Sequence, residues 1–238
     1  MNITRLGTLM LLTSLSLPAV AGMISEAENN GMGINNTLMT AQAIGFADFS
    51  PNLDPNIFGN LPTVNVQGYG GDGDIDFFSF QANPGEAYFD IDNSPFSFDA
   101  ALSLFDSSGA LLAYADDSDP ADPNSAEGRD PFLGSINLTY TGTYYLAVSD
   151  YFNLPNGLFN ATFISDLVRP DGGFGGNQIS AGADATFDQS NVQAGNAYSL
   201  NVSVRNPVPE PGTIAMMLLG LSGLMLKRRR PLMKRATA

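Results

Sequence analysis

The densest set of hard oxygen donors in the chain is Asp72-Gly73-Asp74-Ile75-Asp76. In extended backbone, residues i, i+2 and i+4 share one face. The carboxylates of Asp72, Asp74 and Asp76 would then stand about 7 Å apart in a row, with no cation close in sequence to offset them. A second cluster, Asp116-Asp117-Ser118-Asp119 followed by Asp122, comes after the apolar run that ends at Ala115. Oxygen ligands at this density, without nitrogen or sulfur, suit Ca²⁺. Asp72, Asp74, Asp76, Asp116, Asp117 and Asp119 are therefore the candidate metal ligands. The pattern is not an EF-hand: its sixth position is Phe77 where Gly is required, and its twelfth is Asn83 where Glu is required. The competing reading is a set of solvated acids on an acidic surface.

Other chemistry is thinly supplied. The 238 residues contain no Cys, no His and no Trp. Disulfides, thiolate zinc sites and Cys nucleophiles are excluded, and so are the commonest general base and the commonest transition-metal ligand. Asp106-Ser107-Ser108-Gly109 is one Ser too long for an aspartic-protease motif and lies between two apolar runs, where a hairpin turn is expected. Gly172-Gly173-Phe174-Gly175-Gly176-Asn177 is half of a Gly-rich calcium nonapeptide in a single copy, and a mobile loop over 170–182 is expected instead. A glycosidase needs two carboxylates at a set separation in a sugar-binding cleft. Without Trp platforms, a carboxylate-only hydrolase is the weakest of the alternatives. Asn35, Asn137, Asn160 and Asn201 begin Asn-x-Ser/Thr triplets, read as strand and loop chemistry. The expectation is a protein that is not an enzyme and has no catalytic residue.

Charge divides the chain. The formal total is −14, yet between Met23 and Asn206 there are 23 acids against three cations, Arg129, Arg169 and Arg205. A body near −20 does not bind nucleic acid through counterion release. Arg5 precedes an apolar run over 6–20 that ends in Ala19-Val20-Ala21. A cationic start, a short apolar core and an A-x-A end describe a secretory signal peptide. This implies the Sec translocon and signal peptidase as partners, with cleavage after Ala21. At the other end, Val208-Pro209-Glu210-Pro211-Gly212 leads into an uncharged run over 213–226 and then Lys227-Arg228-Arg229-Arg230. A helix of about 15 residues rises ~22 Å, short of the ~30 Å hydrocarbon core, a mismatch that snorkelling cations and local thinning cover. The cationic tail places that end in the cytoplasm, so the acidic body lies outside the inner membrane.

The order of Pro-Glu-Pro motif, apolar span and Arg-rich tail resembles the PEP-CTERM sorting signal of Gram-negative bacteria, with Val208, Pro209, Glu210, Pro211 and Gly212 as its core. The resemblance implies recognition by an exosortase, a membrane protease-transpeptidase thought to cut near the Pro-Glu-Pro segment. It also implies a setting in exopolysaccharide-producing, biofilm-forming bacteria. Pro209 and Pro211 cannot extend a helix or a sheet ladder, which leaves the segment extended and open to a protease.

The elements that must position the acids are strands. Short alternating runs separated by turn signals predict strands over 63–68, 76–81, 87–92, 100–105, 111–115, 135–140, 142–149, 158–165 and 198–204. In the last, Tyr198, Leu200, Val202 and Val204 point one way and Ser199, Asn201, Ser203 and Arg205 the other, which predicts one buried and one wet face. Phe77, Phe78, Phe80, Phe89, Phe105, Tyr144 and Leu146 supply core bulk. The fold expected is all-β, a β-sandwich or jelly roll, with an N-terminal signal peptide and a C-terminal transmembrane sorting helix. The division is 1–21 signal peptide, 22–62 irregular lead-in, 63–206 sandwich and 207–238 sorting signal.

Four blocks occur in order: 36–42, Asp74-Ile75-Asp76-Phe77-Phe78-Ser79-Phe80, the run 104–113, and Gly142-Thr143-Tyr144-Tyr145-Leu146-Ala147-Val148. This order resembles the bacterial pre-peptidase C-terminal (PPC) domain, a β-sandwich appended to secreted enzymes and surface proteins. Some members bind calcium or polymeric substrates, and the domain is not catalytic. The chain departs from the family in a long insert between Tyr151 and Tyr198. The function expected is that of an exported, structural or adhesive protein of the cell envelope or exopolysaccharide matrix. The alternative is a carbohydrate-binding module with Tyr144, Tyr145 and Tyr151 as its platform.

Overall fold

A computed structural model describes residues 22–27, 34–55, 57–70, 73–92, 98–118, 129–168, 174–179, 182–187, 196–205 and 207–208. The expected signal peptide, the apolar run 213–226 and the cations Lys227, Arg228, Arg229 and Arg230 lie outside these residues. Among these residues thirteen strands, numbered in chain order, form two sheets. The first holds β1 (Gly22–Ser25), β3 (Ser50–Pro51), β4 (Pro62–Gly70), β6 (Gly85–Asp92), β9 (Phe132–Leu138) and β13 (Asn196–Val204). Its order is β1-β4-β13-β6-β9, with β3 also on β4. The second holds β2 (Gln42–Ala43), β5 (Ile75–Ala82), β7 (Ala100–Phe105), β8 (Leu111–Ala115), β10 (Gly142–Asp150), β11 (Phe163–Val168) and β12 (Phe174–Ile179). Its order is β11-β12-β8-β7-β10-β5-β2. The helices among the described residues are three 3-10 turns, Leu38–Thr40, Phe46–Asp48 and Leu158–Asn160, and none is long and apolar enough to cross a membrane.

Alternation along the strands decides what fills the space between the sheets. Val64 and Val66 of β4, Phe89 and Ile91 of β6, and Leu200, Val202 and Val204 of β13 face Phe78 and Phe80 of β5, Leu102 and Leu104 of β7, and Leu146 and Val148 of β10. Phe80 lies 5.6 Å from the Phe89 ring across the gap and stacks at 5.8 Å on Tyr144 beside it. The Tyr144 hydroxyl, at the rim, donates to the Tyr140 carbonyl at 2.9 Å.

Both sheets bury more than one face. Outside the second sheet, Ile75, Phe77, Ala101, Phe105, Leu111 and Tyr114 pack under Leu158 and Ile179, with Leu38, Ala185 and Phe187 against them. Phe77 and Phe105 therefore fill this outer layer and not the space between the sheets. The outer face of β13 is not wet as predicted, since Asn201 and Ser203 are buried. Neighbours on both sides satisfy their polar groups: Ser203 shares a 2.7 Å hydrogen bond with Thr63, and Asn201 accepts from Asn65 at 2.7 Å and donates to Asp92 at 2.8 Å.

Two expected elements differ. Residues 158–165 are not one strand. Gly157 turns the chain at φ +83, residues Leu158–Asn160 form a 3-10 turn, and β11 begins only at Phe163. The segment 170–182, expected as a loop, contributes β12, which pairs with β8 at Asn177↔Tyr114 and Gln178↔Ala113. Glycine hides this strand from periodicity, and close approach explains the glycine: a Cβ on Gly176 would stand 2.8 Å from the Leu133 side chain and 3.1 Å from the Tyr114 carbonyl. A Phe80→Ala substitution, which empties the contact between the sheets, is expected to cost about 3–5 kcal/mol in a urea titration of the folded domain. A loss under about 1 kcal/mol would contradict this assignment of the core.

Candidate functional site

The registers collect acids at one end of the sandwich. Ile75 opens β5 opposite Ser149 of β10, Asp150 ends β10 opposite Ala100 of β7, and Leu102 of β7 pairs with Ala115 at the end of β8. Asp74, Asp150, Asp99 and Asp116 therefore follow one another along the same rim. Glu26, the residue after β1, comes to this end as well.

Within the rim, Asp74, Asp76 and Asp150 are buried, and Asp76 lies deepest along its strand. It precedes Phe78 and Phe80 on the face between the sheets and is fully buried. The Tyr198 hydroxyl donates to its Oδ2 at 2.8 Å. Gly68 makes that reach possible, because a Cβ there would lie 2.2 Å from the Tyr198 ring. Phe98 stacks on the Tyr198 ring from beyond, at 6.1 Å. Glu26 is fixed beside Asp76 by the Tyr69 backbone N–H at 2.9 Å and by Asn35 Nδ2 at 3.1 Å. The Phe77 N–H, at 3.0 Å from the Asn35 carbonyl, ties that residue to β5. Asp74 is also buried and caps the Ile75 N–H at 3.0 Å.

The electrostatics follow from this packing. Burial, a hydrogen bond with Glu26 and the nearby charges of Glu26 and Asp74 push Asp76 well above the ordinary carboxylate range, against a smaller lowering from Tyr198. Burial and the Asp76 carboxylate likewise push the Tyr198 phenol up. Asp76 Oδ1 and Asn35 Oδ1 are buried and accept from no N–H or hydroxyl group. Buried acceptor oxygens facing a shortage of donors call for a proton or a cation.

Asp74 and Asp76 thus come together, as their spacing predicts, but as neighbours of Glu26 and Asn35. Nothing in the sequence ties those two to the aspartates: they lie about 40–50 residues upstream and reach the site by way of β1 and the Asn35–Phe77 contact. Asp116 and Asp117 stand after β8, three strands from β5 and so about 14 Å away, half-buried and exposed respectively. Asp72 and Asp119 lie outside the described residues. Among the described residues, no three His, Cys, Asp or Glu side chains gather as a metal-holding group. Asp106 sits in the β7–β8 hairpin turn, as expected. Its Oδ1 accepts from Ser108 N at 2.8 Å, Ser108 Oγ at 2.6 Å and Ala110 N at 3.0 Å. The expected aromatic platform is corrected at Tyr144, whose ring is in the core, while Tyr145 is half-buried. Tyr151 and Phe152, just past β10 at the acidic end, form an exposed edge-to-face pair at 5.2 Å.

The C-terminal strap is the other feature at which sequence and structure meet. After β13 the chain crosses to the second sheet, where Pro207 bridges to Ala82 and the Val208 N–H donates to the Gln81 carbonyl at 2.9 Å. Pro209, Glu210, Pro211 and Gly212 lie outside the described residues.

Residues 207–230 match the PEP-CTERM protein-sorting motif. Among solved structures, the chain is similar to PliG of Aeromonas hydrophila, a periplasmic lysozyme inhibitor of g-type lysozyme. The identity is 14%, 69% of this chain and 95% of that chain are covered, and the TM-score is 0.30. Salmonella Typhimurium PliG, also a periplasmic inhibitor of g-type lysozyme, gives 16% identity over 65% of this chain and 98% of that chain, with a TM-score of 0.28. No curated protein matches the chain.

The raised Asp76 has a pH signature. A carboxyl that holds its proton more tightly when folded stabilises the fold fully below its unfolded pKa of about 3.9, and this contribution is lost as pH rises through the folded value. With chelator present, the melting temperature is expected to climb as pH is lowered through the raised titration of Asp76 toward the ordinary carboxylate range. Asp76→Asn, facing the same Glu26, Asp74 and Tyr198, should flatten that slope. An unchanged slope in the variant would remove Asp76 as its source.

Proposed function

We propose that this chain is an exported, non-catalytic protein that works by presence and contact at the cell envelope or in the surrounding matrix. The observation that carries the reading is the sorting-motif match over 207–230, which starts on the strap that closes the last strand. Supporting it are an all-β body without His or Cys and a net charge near −20 between Met23 and Asn206. On this reading the signal peptide takes the chain through the Sec translocon and signal peptidase removes it. The apolar run 213–226 then holds the body outside the inner membrane until an exosortase acts on the Pro-Glu-Pro segment. The PPC-like character proposed for the body has support in the placement of its blocks. Residues 74–80 lie on or beside β5, 104–113 on the β7–β8 hairpin and 142–148 on β10, strands that lie next to one another in the second sheet. A structural or adhesive role among exopolysaccharides is the specific form of the proposal.

Calcium belongs to this proposal. What supports it is donor chemistry and not a preformed cage, since no three acids gather as a metal-holding group among the described residues: Glu26, Asn35, Asp74 and Asp76 offer only oxygen, as a hard cation prefers. Asp72 and the Asp116, Asp117 and Asp119 cluster are further candidates. A carbohydrate-binding module is the second reading, favoured by the exposed Tyr151–Phe152 pair. Glycan-array binding abolished by Tyr151→Ala would support it.

Mass spectrometry of the mature C-terminus tests the main reading. A terminus within or next to residues 209–212 is expected in cells that contain the exosortase, and an uncut chain in cells that lack it. The same terminus in both would sink the assignment. For calcium, 10 mM ion against a Kd of order 0.1 mM would stabilise the fold by about 2.7 kcal/mol. A melting curve indifferent to Ca²⁺ and chelator at pH 7.5 would discard the site.

A further inference from the structure

The end of the sandwich opposite the acids has its own surface. Pro62 starts β4 there, Ala82 ends β5 and Gly142 starts β10. Both ends of the described body leave from it. Gly22 pairs with Val64, and its N–H donates to Ser50 Oγ at 2.7 Å, while Pro207 and Val208 lie on the end of β5. Between them the segment from Gly45 to Pro51 crosses from the second sheet to the first and leaves a concavity of about 360 Å³ lined by Phe46, Phe49, Pro51, Pro62, Arg205 and Pro207. Phe46 is 44% exposed although the cores beside it are filled.

We propose that this concave, apolar end is a membrane-apposed face that seats on the lipid interface while the run 213–226 is inserted. The inference rests on the anchored reading above. Chain length argues for the occupant. Val208 is tied to the body, and Thr213 opens the apolar run five residues on, at most about 18 Å away when fully extended. That span keeps the end carrying Pro207 within about 18 Å of the bilayer surface. Charge agrees. Arg205, one of three cations between Met23 and Asn206, stands at this face and pairs with Glu86, whose carboxylate also accepts from Tyr88 at 2.6 Å and Ser135 at 3.0 Å. Of the acids at this end, Asp48 caps the Gly45 N–H at 2.8 Å and Asp106 closes its turn, while Asp54 is exposed in the loop between β3 and β4. Asp74, Asp99, Asp116 and Asp150 lie at the far end, roughly 30 Å off along β13. Phe and Pro at a polar–apolar boundary, with one Arg, make a chemically suitable interfacial surface.

The chain has no Trp, so one introduced indole reports its own surroundings. Full-length Phe46→Trp and Phe152→Trp proteins would be reconstituted separately in 3:1 phosphatidylethanolamine/phosphatidylglycerol vesicles carrying brominated acyl chains. Residue 152 is similarly exposed, at 48%, but lies at the acidic end. Emission from position 46 is expected to shift to the blue and to be quenched at least about twofold more than emission from position 152. Equal quenching at the two positions in carbonate-resistant vesicles would overturn the proposal and leave the anchored reading standing. A chain that carbonate strips from the vesicles would overturn the anchored reading itself. Should Phe46→Trp fail to fold, a nitroxide on Asn83→Cys, in a chain without other Cys, reads the same face. Its collision rate with lipid-soluble oxygen is then expected to exceed that with a water-soluble nickel chelate, and the reverse order would overturn the proposal.

Discussion

Strand β13 hydrogen-bonds to β4 on one side and to β6 on the other, with Leu200 opposite Val66 and Ile91 and Val202 opposite Val64 and Phe89. These partners are more than 100 residues apart in sequence, and closing a loop of that size is costly in chain entropy. The return comes from burying Tyr198, Leu200, Val202 and Val204 against the second sheet, at roughly 1.5–3 kcal/mol for each large apolar side chain. Most other features depend on this pairing. It lays Tyr198 against Asp76, carries the strap of Pro207 and Val208 over to Ala82, and directs the way out of the body to one end.

A consequence is polarity. In a nine-residue strand the two ends stand roughly 30 Å apart, and the registers line up Asp74, Asp99, Asp116 and Asp150 at one of them and the tied-down chain ends at the other. Asp99 and Asp116 of this rim are partly exposed and can attract cations, while the opposite end combines prolines, phenylalanines and Arg205 with the tied acids Asp48 and Asp106. In the proposed anchored orientation the acidic rim faces outward, because β13 ends at the opposite end of the body.

The acidic end also concentrates frustration. Asp76 occupies a position that alternation assigns to the core, and its neighbours Glu26 and Asp74 are both acids. A sandwich stabilised only by packing would place a hydrophobic residue there. A buried carboxylate with one unsatisfied oxygen departs from the local consistency that favours folding, and such departures cluster where a protein does something besides fold.

Period-two patterning placed most of the strands, because β4, β5, β6, β7, β8, β10 and β13 each carry a clear apolar face that has to be buried. It failed where glycine replaces the apolar residues, as in β12, and at Gly157, where a left-handed residue breaks a run that looks extended. For the site, the spacing of Asp74 and Asp76 was legible, since a strand places both on one face. The sorting motif was legible for a simpler reason: its three parts are consecutive in the chain. Glu26, Asn35 and Tyr198 were not legible, nor was the separation of Asp116 and Asp117 from Asp76. Those depend on which strands become neighbours, and strand order is selected by the burial of whole faces across two sheets. Local pattern sets what each segment is; only the closed sandwich decides which segments meet.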